Sequence, residues 1–87
     1  MLQNHLHKIY CPGGMTLDDS SVIAELNVRK GDIISRNQIL IVLHSGDFYL
    51  ELNGEIDGKV DSVFISEGQK VNRNQILLEI RPWNAIS

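Results

Sequence analysis

The sequence contains the same unit twice, at a spacing of 37 residues. Segment 28–40 aligns on segment 65–77, with a glycine, an Arg-Asn-Gln triplet and an Ile-Leu pair in the same order in both. Each copy reads as an apolar strand, a glycine turn, a short apolar pair, a polar corner and a second apolar strand. Solenoids need about three or more such units to bury a core. Two copies therefore predict two facing sheets related by a pseudo-twofold axis.

Composition favours strands over helices. The chain has 11 Ile and 6 Val but only 2 Ala, and no segment of about ten residues shows a helical period. Apolar runs between glycines predict strands at 7–11, 22–28, 39–44, 48–52, 59–65 and 76–80. In the strand predicted at 48–52, the apolar residues Phe48, Leu50 and Leu52 alternate with Tyr49 and Glu51, which indicates a half-buried strand.

The apolar residues of the two copies supply the predicted core. Positions at matching places in the repeat should point between the sheets, because both halves bury the same face. The residues expected there are Val28, Ile34, Ile39, Ile41, Val63, Ile65, Val71, Ile76 and Leu78.

Length, charge and cysteine content exclude several classes of protein. With 87 residues there is room for one domain. Eight basic against 11 acidic residues give a net charge of −3, which argues against a nucleic-acid partner. Cys11 is the only cysteine, so no intrachain disulfide can form, and a reducing compartment is favoured. With no apolar run of signal-peptide or membrane-span length, we expect a cytoplasmic location and no direct membrane contact.

The histidines and the cysteine are candidate metal ligands. His5 and His7 would share one face of a strand, with Cys11 four residues beyond, which is half of a metal site. No further ligand at suitable spacing completes it, so incidental histidines on an N-terminal extension are the favoured interpretation. His44 reads as a lone histidine at a strand end, and Cys11 as a small buried hydrophobe. We predict neither a metal site nor a catalytic residue.

The remaining polar and aromatic features have structural interpretations. Gly13-Gly14 lacks the Lys and the helix of a phosphate loop and reads as a loop pair. Asp18-Asp19 beside two serines predicts a solvated loop. Trp83 follows the last repeat strand and is either a cap on the barrel or an exposed contact for a partner, the cap being favoured.

The order of these motifs resembles the lipoyl domain of dihydrolipoyl acyltransferases over about residues 8–80. The resemblance rests on Pro-Gly-Gly-Met-Thr-Leu at 12–17, Val-Arg-Lys-Gly-Asp at 28–32, Asn-Gln-Ile-Leu at 37–40, Gly-Lys-Val at 58–60 and Glu-Gly-Gln-Lys-Val at 67–71. The opening at 14–16 is closer to that branch than to biotin carboxyl carriers. The spacings around Pro12 and before Gly31 each differ from the family pattern by one residue. The resemblance implies an all-β fold, a flattened barrel or sandwich of two four-stranded antiparallel sheets. We expect a flexible extension at 1–6, the lipoyl-like domain at 7–81 and a tail at 82–87.

The resemblance also implies where a prosthetic group would be attached. In the family, a lysine at the tip of a β-hairpin is acylated by lipoate or biotin. Counting back from Gly58 without a gap places that lysine at Asp47. The family's acidic residues three and one positions earlier become His44 and Gly46, and its small residue immediately after becomes Phe48. We therefore expect no attached cofactor, and a hairpin tip of Ser45, Gly46, Asp47 and Phe48 closed by a type II′ turn.

Three functional interpretations remain open. The leading one is a non-enzymatic binding or scaffold module related to the carrier domain of 2-oxo acid dehydrogenase complexes, with an unidentified protein partner. The second is the lipoyl-like domain of a membrane-fusion or transport protein. It is disfavoured because the central interruption at 45–47 is a short turn instead of a helical hairpin. The third is a carrier component of a dihydrolipoyl acyltransferase or a biotin carboxyl carrier, modified at an unexpected lysine. An enzyme in its own right is disfavoured, because no catalytic constellation is found.

Overall fold

The computed structural model describes residues 5–83, and these form two four-stranded antiparallel sheets. The strands are β1 (His7–Tyr10), β2 (Ser20–Leu26), β3 (Ile33–Ile34), β4 (Ile39–Ser45), β5 (Phe48–Asn53), β6 (Gly58–Val63), β7 (Lys70–Asn72) and β8 (Ile76–Pro82). One sheet has the order β1-β8-β6-β3 and the other β5-β4-β2-β7. The predicted fold class is confirmed. Within the described part of the chain, no helix is long and apolar enough to cross a membrane.

The strand boundaries differ from the predicted ones by two residues at both ends of β2, at the end of β6 and at the end of β8. Strand β8 continues through Arg81 and Pro82, which pair with Lys59 and Gly58 of β6. Proline is tolerated there because it lies at the strand end. The short apolar pairs of the two repeat copies lie in β3 and β7. Of the predicted terminal segments, residues 1–4 and 84–87 lie outside the described residues.

The core lies between the two sheets. Its fully buried members include both predicted and unpredicted residues. Predicted residues found buried are Val28, Ile34, Ile41, Ile65, Val71 and Leu78. Further members of the same cluster are Ile9, Cys11, Ile23, Leu40, Leu43, Val60, Leu77 and Ile80.

Ile39 was predicted in the core, and this was wrong, since 38% of its surface is exposed. The reason is a register irregularity in β4, where Ile39 pairs with Asn53 but Ile41 pairs with Leu52. The extra residue between them, Leu40, is 0% exposed, so two consecutive side chains enter the core.

The other repeat copy shows the same displacement. Ile76 is only partly buried, whereas Leu77 is 0% exposed. Here Ile9 of β1 pairs with Leu78 and Tyr10 pairs with Ile76, again leaving one residue between the pairs. Val63, also predicted in the core, packs against its margin as a partly buried side chain.

Local contacts recur at the spacing of 37 residues. The N–H of Ser35 donates to Gln38 Oε1 at 3.0 Å, and the N–H of Asn72 donates to Gln75 Oε1 at 3.1 Å. The N–H of Asn27 donates to the Leu40 carbonyl at 2.9 Å, and that of Phe64 to the Leu77 carbonyl at 3.0 Å. The angle φ is +72° at Asn37 and +66° at Asn74. Asparagine tolerates this left-handed conformation better than most residues. The Arg-Asn-Gln triplet thus builds the same tight corner before β4 and before β8.

Candidate functional site

The tip of the β4–β5 hairpin is a two-residue turn formed by Gly46 and Asp47. Ser45 and Phe48 pair on either side of it. Gly46 has φ of +58°, whereas Asp47 is not among the residues of positive φ. That combination is expected of a type II′ turn and excludes type I′, which needs positive φ at both positions. Asp47 is exposed at the outermost end of the hairpin.

The tip is fastened to the loop between β1 and β2. Ser45 Oγ donates a hydrogen bond to the carbonyl of Ser20 at 2.9 Å and accepts one from the backbone N–H of Met15. Gly14 is required here, because a Cβ at this position would overlap the Ser20 carbonyl and lie 2.9 Å from Ser45 Oγ. Gly13-Gly14 is a loop pair as predicted, and its second member permits a close approach to the hairpin tip.

The loop is held by two aspartates. Asp18 accepts hydrogen bonds of 2.7 Å from Lys70 Nζ, from Ser20 Oγ and from Thr16 Oγ1. These donors, Lys70 first, hold the pKa of Asp18 well below its usual range. The carboxylate therefore stays ionised at neutral pH and is unsuited to proton transfer.

Asp19 completes the network. Its carboxylate accepts from Gly14 N at 2.7 Å and from Arg73 Nε at 2.7 Å, and its φ is +59°. Asp18 is exposed in the loop between β1 and β2, as expected of a solvated loop, and the structure adds the side-chain bonds of both aspartates. The sequence signal that could have indicated the network is Asp-Asp followed by Ser-Ser, a pattern rich in short-range side-chain bonds.

Apolar side chains of the tip and of the loop bonded to it remain exposed. Met15 and Leu17 lie in the loop, and Phe48 follows the turn. In β5, which was predicted to bury one face, only Leu52 packs against the core. Phe48 and Leu50 of the same face are exposed. The reason is that β5 is the edge strand of its sheet, with a neighbour on one side alone.

His44 was predicted as an isolated strand-end histidine. Its ring stacks on that of Tyr49, its cross-strand neighbour, with 4.5 Å between ring centroids and 13° between ring planes. This stacked pair lies just below the turn on β4 and β5. The sequence alone does not indicate it, because the pairing depends on the register of the hairpin.

The other candidate residues lie away from the tip or are unreactive. Cys11 is buried and donates through Sγ to the Pro12 carbonyl, and burial, followed by nearby Asp19, raises the pKa of its thiol. His7 Nε2 is 2.6 Å from a carboxylate oxygen of Glu55. Residues 5–83 contain no group of three or more His, Cys, Asp or Glu side chains that could hold a metal ion.

Trp83 lies at the end of β8. Its backbone N–H donates to the Asp57 carbonyl at 3.0 Å, while 51% of the residue is exposed. It borders an open groove of about 510 Å³ lined by His5, Leu6, His7, Ile56, Asp57 and Pro82. Trp83 thus lines this groove with about half of its surface exposed.

None of the chain's lysines lies in the hairpin tip. Lys8 is on β1, Lys59 on β6 and Lys70 on β7, and Lys30 precedes β3. Lys70 Nζ is already paired with Asp18. The tip offers a rigid turn, an exposed carboxylate and apolar neighbours, which suit non-covalent contact better than group transfer.

Comparison with known proteins gives a family, and structural matches that include a carboxylase and a lipoyl domain. The family model described as "Biotin-requiring enzyme" matches residues 7–80. A single-chain, multi-domain long-chain acyl-CoA carboxylase superposes with a TM-score of 0.79 at 16% identity, over 94% of this chain and only 8% of the carboxylase chain. The lipoyl domain of the 2-oxoglutarate dehydrogenase complex from Azotobacter vinelandii superposes with a TM-score of 0.74 at 18% identity, over 84% of this chain and 92% of that domain. At these identities the two structures show a shared fold.

Proposed function

Because the chain belongs to the Biotin-requiring enzyme family of biotin and lipoyl carrier domains, we propose that it is a binding or scaffold module without an attached prosthetic group. Domains of this family are carriers and not catalysts. In this proposal the chain retains the barrel and the contacts with partner proteins, and it has lost the covalently attached group.

Asp47 is the observation that carries the proposal. It occupies the second position of the tip turn, exposed to solvent, where the count from Gly58 assigns the family's lysine. Attachment of lipoate or biotin requires an amine that attacks an activated carboxyl group and forms an amide. A carboxylate at this position lacks that nucleophile in either protonation state.

The surroundings of Asp47 support a non-covalent role. Ser45 is bonded to the loop, so the tip and residues 14–20 form one preorganised unit. Met15 and Leu17 are exposed on this unit, and Met15 lies next to Gly46 of the turn. Exposed apolar side chains on a rigid support are typical of contacts with another protein, because little ordering entropy is lost on binding. We therefore propose that a partner protein contacts the tip unit directly.

Intact-mass measurement tests the absence of modification. The chain is co-expressed with a lipoate ligase and, separately, with a biotin ligase, with the lipoyl domain of a 2-oxo acid dehydrogenase complex as the positive control. The expected mass is that of the unmodified chain in both experiments. A stoichiometric lipoyl or biotinyl adduct on any lysine would overturn the proposal.

Two variants show what recognition requires. Asp47→Lys restores the amine but leaves His44, Gly46 and Phe48 in place, so we expect little or no lipoylation. Adding His44→Glu, Gly46→Asp and Phe48→Ala should raise it. Efficient modification of the single variant would mean that the barrel alone is sufficient for the ligase.

A further inference from the structure

The outer side of β5 is an unpaired strand edge. β5 pairs with β4 alone among the described strands. Because the hairpin closes with a two-residue turn, Ser45 and Phe48 form a hydrogen-bonded pair, and hydrogen-bonded positions then alternate along β5. Gly54 keeps this alternation, since its N–H and C=O bond to Gln38 and Asn37 at 2.7 and 2.8 Å. The backbone groups of Tyr49, Glu51 and Asn53 therefore point away from β4.

The other three sheet edges carry features that discourage strand pairing. β3 has only 2 residues, and β7 has 3, including Lys70. β1 has 4 residues, including Lys8. Short edges and edge lysines are common protections of natural edge strands.

β5 carries none of these protections. It has 6 residues, without lysine or proline. Phe48 is 59% exposed, Tyr49 69% and Leu50 48%. Its pairing with β4 is regular from Phe48 to Leu52, and an apolar edge of this length is a template for another strand.

We propose that β5 pairs antiparallel with β5 of a second copy of this chain, across a twofold axis at Leu50. The two four-stranded sheets that contain β5 then form one continuous sheet. In this register Leu50 faces Leu50 of the second copy, Phe48 faces Leu52, and Tyr49 faces Glu51. The inference rests on the free edge and is independent of the proposed absence of lipoylation.

Backbone alternation and charge select this register. The backbone N–H and C=O groups that point away from β4 must meet the same kind of groups on the second β5. This excludes the registers in which a residue bonded to β4 lies opposite a residue whose backbone groups point away from β4. Two of the remaining symmetric registers pair all but one of the 6 residues of β5. One of them places Glu51 opposite Glu51, and like charges directly opposite each other destabilise a strand pair.

The favoured register has no like-charge pair. Its axis lies at Leu50, and Asp47 falls opposite Asn53. On one face, Phe48, Leu50 and Leu52 of both copies form an apolar row, while on the other face the Tyr49 hydroxyl can donate to Glu51. Self-complementarity of this kind is what a twofold interface requires.

Sedimentation velocity tests the association. One strand on each side buries less than a standard interface, so we expect a reversible dimer with a Kd of about 1–100 μM, visible between 1 and 500 μM protein. Leu50→Lys places two ammonium groups at the axis and should abolish the dimer, with an unchanged far-UV circular dichroism spectrum. Ile33→Lys, at an exposed residue of the edge strand β3 in the other sheet, is the matched control and should leave it unchanged. A monomer at 500 μM in the wild type, or a dimer retained by Leu50→Lys, would overturn the proposal.

Cysteine crosslinking tests the register. Leu50→Cys places two thiols at a non-hydrogen-bonded pair, where Cα atoms are about 4.5 Å apart and a disulfide can form. Glu51→Cys is the matched variant, and its thiols meet only in the rejected register. Under mild oxidation we expect a covalent dimer of Leu50→Cys at least tenfold faster than of Glu51→Cys. Equal or reversed rates would refute the assigned register.

Discussion

Truncation of the two bulge leucines tests the architecture of the core. Leu40 and Leu77 are each 0% exposed, occupy equivalent places in the repeat and enter the core from opposite sheets. Leu→Ala at a closely packed site costs about 2–5 kcal/mol, combining lost transfer energy with a residual cavity. A domain of this size has a free energy of unfolding of about 4–13 kcal/mol. Each variant should therefore lose a large part of its stability, and the two losses should agree within about 1 kcal/mol.

Urea unfolding at 25 °C, followed by far-UV circular dichroism and by Trp83 fluorescence, measures these changes. Ile39→Ala is the matched control, because Ile39 is 38% exposed and its truncation leaves no closed cavity. Its expected cost is about 1 kcal/mol. If Leu40→Ala cost no more than Ile39→Ala at an unchanged m-value, the extra core residue in β4 would be refuted.

Two further predictions concern the loop beside the hairpin tip. Because its hydrogen bonds hold the pKa of Asp18 below its usual value of 3.8, protonation favours the unfolded chain, and this contribution to stability should be lost as pH falls below about 4. Asp18→Asn should then show a smaller drop in urea midpoint between pH 6 and pH 3 than the wild type, and equal drops would contradict the assignment. Gly14→Ala should cost about 1–3 kcal/mol in urea unfolding, because its Cβ meets the Ser20 backbone. Gly13→Ala, whose Cβ meets the ends of the Arg73 and Asp19 side chains instead of backbone, should cost less, and an equal cost would argue against the close approach at Gly14.

Local pattern was sufficient for the fold class and for the tip turn. The repeated Gly and Arg-Asn-Gln corners act through backbone preferences that reach only a few residues, so the order of strands and turns can be read directly from the chain. The same holds at Gly46, whose φ of +58° follows from the need for a positive φ at the first position of the turn. Asp47 at the tip follows from counting along the chain.

Tertiary structure decided which side chains are buried and which edge stays open. A one-residue irregularity in strand pairing moved the core position from Ile39 to Leu40, and periodicity cannot show it because both neighbours are apolar. The bonds of Asp18 to Lys70 and of Asp19 to Arg73 join residues that are far apart in the chain. Strand order left β5 at an edge with Phe48 and Leu50 exposed, although their alternation is that of a half-buried strand. Periodicity shows which residues lie on the same face of a strand, but their burial depends on what the rest of the chain places against that face.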